Sequence, residues 1–251
     1  MQKENYFINR RTVRNFSSRT VSPELLKEML SEAAHAPNTG NMQIYSVIVT
    51  SDPEAKKRLA VHHFNQPAST GCQVLLTFCA DIHRFNEWCR LNNADAGFDN
   101  LQMFLAATID ASIFAQQFNT IAEMNGLGCC YLGTTAYNAP AIAKELNLPD
   151  GVVPVISLAV GYPENGKDAA SSRLPLEAVV HLEKYHDFSD NEIKEIYSAL
   201  EAEPASKKFV EENDKQNLAQ VFAEVRYPRS TNELFSESLR DYLDTTFFKK
   251  Q

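Results

Sequence analysis

Three arginines crowd the amino end of the chain. Arg10, Arg11 and Arg14 fall within Asn9-Arg-Arg-Thr-Val-Arg-Asn-Phe16, with no acidic residue between Glu4 and Glu24. If this stretch is helical, Arg10 and Arg14 stand at i, i+4 and repel one another by a few tenths of a kcal/mol. An anion placed between them reverses that sign and recruits bidentate guanidinium hydrogen bonds. The plain alternative is a solvated basic turn. A second stretch, Pro37-Asn-Thr-Gly-Asn-Met-Gln43, is dense in amides and carries a hydroxyl. Such a loop is ordinarily a turn, and its other use is to present donors and acceptors to the edge of a heterocycle. A third, Gly126-Leu-Gly-Cys-Cys-Tyr-Leu-Gly-Thr134, allows a backbone to approach a flat ring closely. Arg173 can add a further positive charge. No nucleophile with its base and no proton relay accompanies these groups, so the hard chemistry would belong to a cofactor.

The elements that must hold these groups centre on Phe98–Asn125, a long apolar segment without proline or glycine. Its apolar residues fall on every side of a helix, which predicts burial all round, in a large core or between subunits. At 1.5 Å per residue it spans roughly 40 Å. Asn100, Gln102, Asp110, Gln116, Gln117 and Asn119 interrupt it too often for a membrane span. Asp110 reads as a hydrogen-bonded core carboxylate rather than an acid catalyst. Ser22-Pro23-Glu24 starts a helix that stops at His35-Ala36-Pro37. A second helix covers Glu54–Val61 behind Asp52-Pro53, and His62–Gly71 is an irregular loop. Ile44–Thr50, Val74–Ala80 and Val152–Gly161 read as strands, the second buried on both faces. Short helices are expected over Ile82–Asn92 and Asn138–Leu146, and Val179-Val180 is expected to add a short extended piece. From Ser189 the composition shifts to charged helix formers. Asp190–Glu201 and Asn232–Phe247 look amphipathic, joined by a polar stretch with Lys207, Lys208, Arg226 and Arg229.

The chain's 251 residues suffice for one large domain or a domain with an extension. A net charge of −8 argues against non-specific binding to nucleic acid or anionic membranes. The polar start, Met1-Gln-Lys-Glu-Asn5, lacks a secretory apolar region, so a cytoplasmic location is expected. Five cysteines show no metal spacing and read as reduced, mostly buried thiols. His83 and Cys89, six residues apart, share no helix face and do not read as ligands. The dinucleotide fingerprint fails too: Gly126-x-Gly128 has Tyr131 where the third glycine belongs, and it follows a helix. Neither a P-loop nor a G-x-S-x-G elbow occurs.

Taken in order, Arg10-Arg-Thr-Val-Arg-Asn-Phe16, Ala36-Pro37-Asn38, Gly126 to Gly133, and Gly161-Tyr-Pro163 followed by Arg173-Leu-Pro175 resemble the nitroreductase family of FMN-dependent NAD(P)H oxidoreductases. The C-terminal Ser238-Leu-Arg-Asp-Tyr-Leu243 is similar to its branch of major oxygen-insensitive nitroreductases and NADPH flavin reductases. The resemblance implies an α+β homodimer: a mostly antiparallel sheet flanked by helices, the long central helix at the dimer interface, and FMN at that interface. It implies an FMN-binding domain over residues 1–185 and a helical extension over 186–251 that packs on the domain and the partner subunit. Carried over by position, Arg10, Arg11, Thr12 and Arg14 hold the phosphate and pyrimidine side. Asn38 and Thr39 meet the ring or ribityl chain, Gln66 with Ser69 reaches the pyrimidine edge, and Tyr131, Leu132, Gly133 and Thr134 line the ring near N5. Arg173 adds a phosphate contact. Ser171 stands where the branch usually has a second basic residue, and Thr134 where it usually has a second glycine. The implied reaction is ping-pong hydride transfer from NADPH or NADH, through FMN N5, to nitroaromatics, quinones or flavins, with no catalytic side chain and no metal. Lys207, Lys208, Arg226 and Arg229 could meet a 2′-phosphate or simply form a charged surface. The alternatives are a specialised member, such as a reductive dehalogenase or a flavin-destroying enzyme, and a non-catalytic flavin-binding or purely structural dimer.

Overall fold

A computed structural model describes residues 6–164 and 170–248. Two compact units emerge, Met1–Ala169 with Phe235–Gln251, and Ala170–Leu234.

The first unit is built on a four-stranded sheet, β1 (Tyr45–Thr50), β2 (Val74–Asp81), β3 (Gly128–Leu132) and β4 (Val152–Gly161). The spatial order is β1-β2-β4-β3, and every pairing is antiparallel. All eight residues of β2 are buried, as its near-continuous apolar run predicts for an inner strand covered on both faces. Pro154 lies inside the other inner strand, and the register with β2 shifts between Phe78 and Cys79, opposite it. Proline lacks the N–H a regular ladder needs, so a bulge is where an inner strand tolerates it. β3 corrects the sequence reading, which took the glycine-rich stretch for a turn. The turn is confined to Gly126, at φ +79°, and a strand starts two residues later.

The helices of this unit are α1 (Tyr6–Asn9), α2 (Pro23–Ala33), α3 (Pro53–His62), α4 (Pro67–Gly71), α5 (His83–Leu91), α6 (Leu101–Met124), α7 (Thr134–Tyr137) and α8 (Ala139–Glu145). Their starts are encoded locally. Ser22 accepts the Leu25 amide at 3.2 Å, Asp52 the Ala55 amide at 2.8 Å and Asn100 the Met103 amide at 3.1 Å. α4 occupies part of the stretch expected to be irregular. α2 and α6 cover one face of the sheet through Leu26, Met29, Ala111, Phe114 and Phe118. Leu59, Ala68 and Ile142 cover the other face against Leu75, Cys130, Leu132 and Ala159. A third cluster joins Ile44, Ala80, Ile82 and Val153 to Leu243 and Phe247 near the carboxyl end.

α6 is not buried all round in the single chain. Leu101, Leu105, Ile109 and Ile113, each four residues from the next, are 38–61% exposed and form one apolar ridge. All five cysteines are buried and free.

The second unit contains a short 3₁₀ turn at Leu176–Ala178, then α9 (Asp190–Ala202), α10 (Pro204–Glu212) and α11 (Leu218–Gln220). A π-helical stretch, Val221–Arg226, leads to α12 (Arg229–Thr246), whose later residues belong to the first unit. Two expectations change here: Val179 and Val180 form no strand, and the stretch between the two amphipathic helices is itself largely helical. Lys208 pairs with Glu212 at 3.6 Å and Arg229 with Glu233 at 3.5 Å, while Arg226 lies over the Phe209 ring. A groove of about 660 Å³ lies among Ile193, Tyr197, Leu200, Leu218, Phe222 and Tyr227. It contains none of the residues expected to hold a flavin. Among the described residues no helix is long and apolar enough to cross a membrane.

Candidate functional site

The arginine arm lies along one end of the sheet, in a trough made by two glycines. Gly128 of β3 faces Gly161 of β4 across the ladder. A methyl group on Gly128 would meet Val13 at 2.4 Å, and one on Gly161 would meet the Phe16 ring at 2.9 Å. The missing side chains therefore let residues 13–16 drop onto the strands. Val13 N donates to Cys129 O at 3.0 Å, Ser17 N to Tyr162 O at 2.9 Å, and Phe16 bridges to Pro163. This explains in physical terms why glycine stands at both positions.

The arm is tied down a second time by Glu123, near the end of α6 and only 9% exposed. One of its oxygens accepts the Tyr6 hydroxyl at 2.5 Å, and the other lies 3.2 Å from the Arg10 guanidinium, an ion pair without hydrogen-bond alignment. Burial and this carboxylate push the Tyr6 phenol well above its ordinary range. Arg10 thus spends its charge on a buried carboxylate. The Arg11 guanidinium is exposed and has no partner among the described residues, while Thr12 is half-buried and Arg14 exposed.

β3 carries the next group. Its alternation sends Tyr131 toward α6, where its hydroxyl donates to Gln116 at 3.4 Å, and sends Leu132 to the opposite face. Burial raises the Tyr131 phenol well above its usual value. Gly133 is exposed, and no atom lies within 4 Å of where its side chain would begin. Thr134 comes next, 8% exposed, and its Oγ1 meets His63 Nδ1 at 2.9 Å. Asn138 donates to His62 O at 2.7 Å, a second stitch between the same loop and the start of α8. Gln66 caps α4 with its carbonyl, which accepts the Ser69 amide at 2.8 Å and the Ser69 hydroxyl at 2.7 Å. Ser69 is wholly buried, so its hydroxyl serves this turn, and the half-buried Gln66 is the member left near the surface.

Phe64 and Asn65 lie at φ +55° and +51°, two consecutive left-handed residues without glycine. Phe64 is exposed and tilts toward Phe235 at 6.1 Å, which stacks flat on Tyr137 at 4.8 Å. Tyr137 ends the short helix that Thr134 begins, so the three rings flank the His63–Thr134 contact.

The arm, β3 and α4 are thus brought together: Phe16, Ala68, Cys130 and Leu132 share one core cluster. The amide loop is anchored elsewhere. Thr39 gives its amide to both Asp110 oxygens, at 2.9 and 3.1 Å, and its hydroxyl to one of them at 2.9 Å. Asn38 accepts the Gln43 amide at 3.2 Å. The loop is therefore held on the middle of α6, next to the exposed ridge residue Ile109. Ser171 and Arg173 belong to the second unit, where the Arg173 guanidinium donates to Ser171 O and Ser172 O at 3.1 and 2.8 Å.

Two residues escaped the sequence reading. His63 sits beside another histidine in what looked like an irregular loop, and nothing in the pattern set it apart. Glu123 has a weak signal, the sole acidic residue in the last turns of an otherwise apolar helix. Among the described residues no cluster could hold a metal ion.

An antiparallel sheet between helices defines an α+β fold, with the arginine arm over the glycine pair where β3 begins and the open Gly133 just past where β3 ends. The model of the nitroreductase family matches residues 8–162, and the chain belongs to that family. It is similar to the FMN reductase (NADPH) of Bacillus subtilis (strain 168), 33% identical over 186 residues that cover 73% of this chain and 74% of the relative. A crystal structure from Bacteroides fragilis NCTC 9343 superposes with TM-score 0.94 at 43% identity, covering 97% of this chain and 99% of that one. The NfrA1 nitroreductase of B. subtilis superposes with TM-score 0.84 at 27% identity over 98% of both chains.

Proposed function

We propose that this protein is an FMN-dependent NAD(P)H oxidoreductase that reduces small aromatic or quinone-like acceptors, with nitroaromatics, quinones and flavins as its substrate classes. FMN is its cofactor, and a nicotinamide nucleotide is the electron donor. The observation that carries this reading is the packing of the arginine arm, α4 and β3 around one cluster, which leaves a free guanidinium at Arg11 and open space over Gly133. A phosphate fits the former and a flat ring the latter, so the residues present suit FMN.

In this reading Arg11 and Arg14 neutralise the phosphate, as bidentate donors do for oxyanions. Arg10 works one step back: its bond to Glu123 holds the arm in the trough. Gln66 offers an amide to the polar edge of the ring, while Tyr131, Leu132 and Gly133 form its wall. FMN, when bound, supplies hydride acceptance from the nicotinamide and its delivery to the acceptor in a ping-pong cycle. The chain's part is to bind, orient and keep water away, which is why no side chain takes a catalytic role.

The exposed ridge Leu101, Leu105, Ile109 and Ile113 supports a homodimer joined through α6. A contiguous apolar helix face of this kind is unusual on a monomer. A two-fold axis would set the ridge against its own copy, and would bring the Asn38–Thr39 loop beside the partner.

The test is direct. The purified protein is expected to be yellow, and stopped-flow mixing with NADPH or NADH to bleach the flavin. A colourless protein that takes up no FMN overturns the reading. A yellow protein that neither nucleotide bleaches would instead be a flavin carrier.

A further inference from the structure

His63 is wholly buried, and its two ring nitrogens are treated differently. Nδ1 lies 2.9 Å from Thr134 Oγ1, whereas Nε2 is shielded from solvent and has no hydrogen-bond partner. A buried N–H without an acceptor is the rarer and costlier defect, so the ring's hydrogen belongs on Nδ1. Burial also keeps the ring neutral, with its pKa lowered to about 4, so this tautomer persists across the neutral range. Nδ1 then donates, and Thr134 Oγ1 accepts.

A hydroxyl has one hydrogen to give. With its oxygen already accepting from His63, Thr134 must send that hydrogen elsewhere. Its neighbour Thr135 gives its own hydrogen to Leu132 O at 2.7 Å, and Thr70 gives one to Pro67 O at 3.2 Å. Thr134 has no such acceptor among the described residues. The result is a nearly buried donor left unmatched, immediately after the open backbone of Gly133. The surroundings hold it there: Asn138 pins His62, and the turn behind His63 runs through two left-handed residues.

Resting on the flavin reading above, we infer that Thr134 donates its hydroxyl hydrogen to an acceptor atom on the edge of the oxidised flavin ring, and that His63 is the positioning residue that leaves this hydrogen available. The acceptor is a ring nitrogen or carbonyl oxygen, the groups a flat heterocycle presents at its rim. His63 touches no ligand in this scheme. It acts by occupying the oxygen of Thr134 and fixing which way the hydroxyl turns.

The experiment is titration of FMN into the flavin-stripped full-length protein, following fluorescence quenching and the position of the long-wavelength flavin band. Thr134→Val keeps the shape and removes the donor. It is expected to weaken FMN about 5-fold, the scale of one neutral hydrogen bond, and to shift the band. Thr134→Ser restores the hydroxyl and is expected to match the wild type. His63→Leu is expected to follow Thr134→Val, and His63→Asn, which keeps an N–H near the Nδ1 position, to recover most of the affinity. Wild-type affinity and spectrum in Thr134→Val overturn the inference. So does a Thr134→Ser protein as weak as the valine variant, because the hydroxyl would then be irrelevant. A His63→Leu protein that binds like the wild type overturns the role given to His63. Should the wild type itself bind no FMN, the proposed function fails at its root, a result the titration reports separately.

Discussion

Replacing Gly128 by alanine should separate the arm from the sheet, and the size of the effect can be worked from the contacts. The added carbon would lie 2.4, 2.5 and 2.7 Å from Val13 Cγ2, Cβ and Cγ1. Carbon atoms in contact settle at about 3.5–4.0 Å, so the arm must retreat by roughly 1 Å. That distance stretches the 3.0 Å bond from Val13 N to Cys129 O beyond useful range. Overpacking of this kind costs about 1–3 kcal/mol and the lost bond about 1 more. For a chain of this size the sum lowers the melting temperature by roughly 4–16 °C. The guanidinium groups ride on the same arm. Displacing one charge-assisted hydrogen bond to phosphate costs about 1.5–3 kcal/mol, or about 10- to 100-fold in FMN affinity. Thermal unfolding and FMN titration of the purified variant measure the two effects. Gly126→Ala is the control: φ is +79° and nothing lies within 4 Å, so it should lose about 1–2 kcal/mol to backbone strain while holding FMN normally. A Gly128→Ala protein with wild-type melting and wild-type affinity would refute the trough.

Ile109→Glu puts a carboxylate in the middle of the α6 ridge, and in the proposed dimer a two-fold axis repeats it on the partner. The variant is expected to sediment as a monomer at concentrations where the wild type is dimeric, and unchanged sedimentation would remove the ridge from the interface. Asp110→Ala leaves the Thr39 amide and hydroxyl without their acceptor and should cost about 2–3 kcal/mol, read by urea unfolding; no loss would mean that water replaces the carboxylate freely. The neutral, buried His63 makes stability acid-sensitive. Its pKa falls from 6.5 when unfolded to about 4 when folded, so its contribution is complete above about 6.5 and is lost as pH drops toward 4. The loss amounts to about 3 kcal/mol by pH 4, and His63→Asn should flatten the slope; an equal slope in both proteins would contradict the burial argument.

Helix starts and inner strands were legible because each rests on local chemistry. Ser22 and Asp52 each cap the helix they precede, and the run Val74–Ala80 has no polar face to show; the start of α6 was missed, because its cap Asn100 read as a polar interruption inside the apolar segment. β3 was hidden because it is short and begins with glycine, which reads as a turn until the arm lying over it is seen. The helices between Ala202 and Arg229 were hidden by their charge, since few apolar positions mark a face there. At the site, the arginine cluster was visible as composition, but its division of labour was not. Arg10 and Glu123 are more than a hundred residues apart, and only the fold shows that one guanidinium is already neutralised. The same holds for Thr39, whose donors looked available for a ligand and belong instead to Asp110. His63 was illegible because its meaning depends wholly on the distant Thr134.

The placing of the sulfur atoms has a further consequence for an enzyme of this class. Reduced nitro compounds and quinones are electrophiles that alkylate thiolates, the reactive form of cysteine. Burial pushes Cys72 up to about 11, Cys79 up to about 12 and Cys129 well above the ordinary value. At neutral pH only about one Cys72 in ten thousand is then ionised, and all five thiols lie beneath the surface. In the function proposed above, the thiols are therefore shielded from the electrophiles that enter or leave the site.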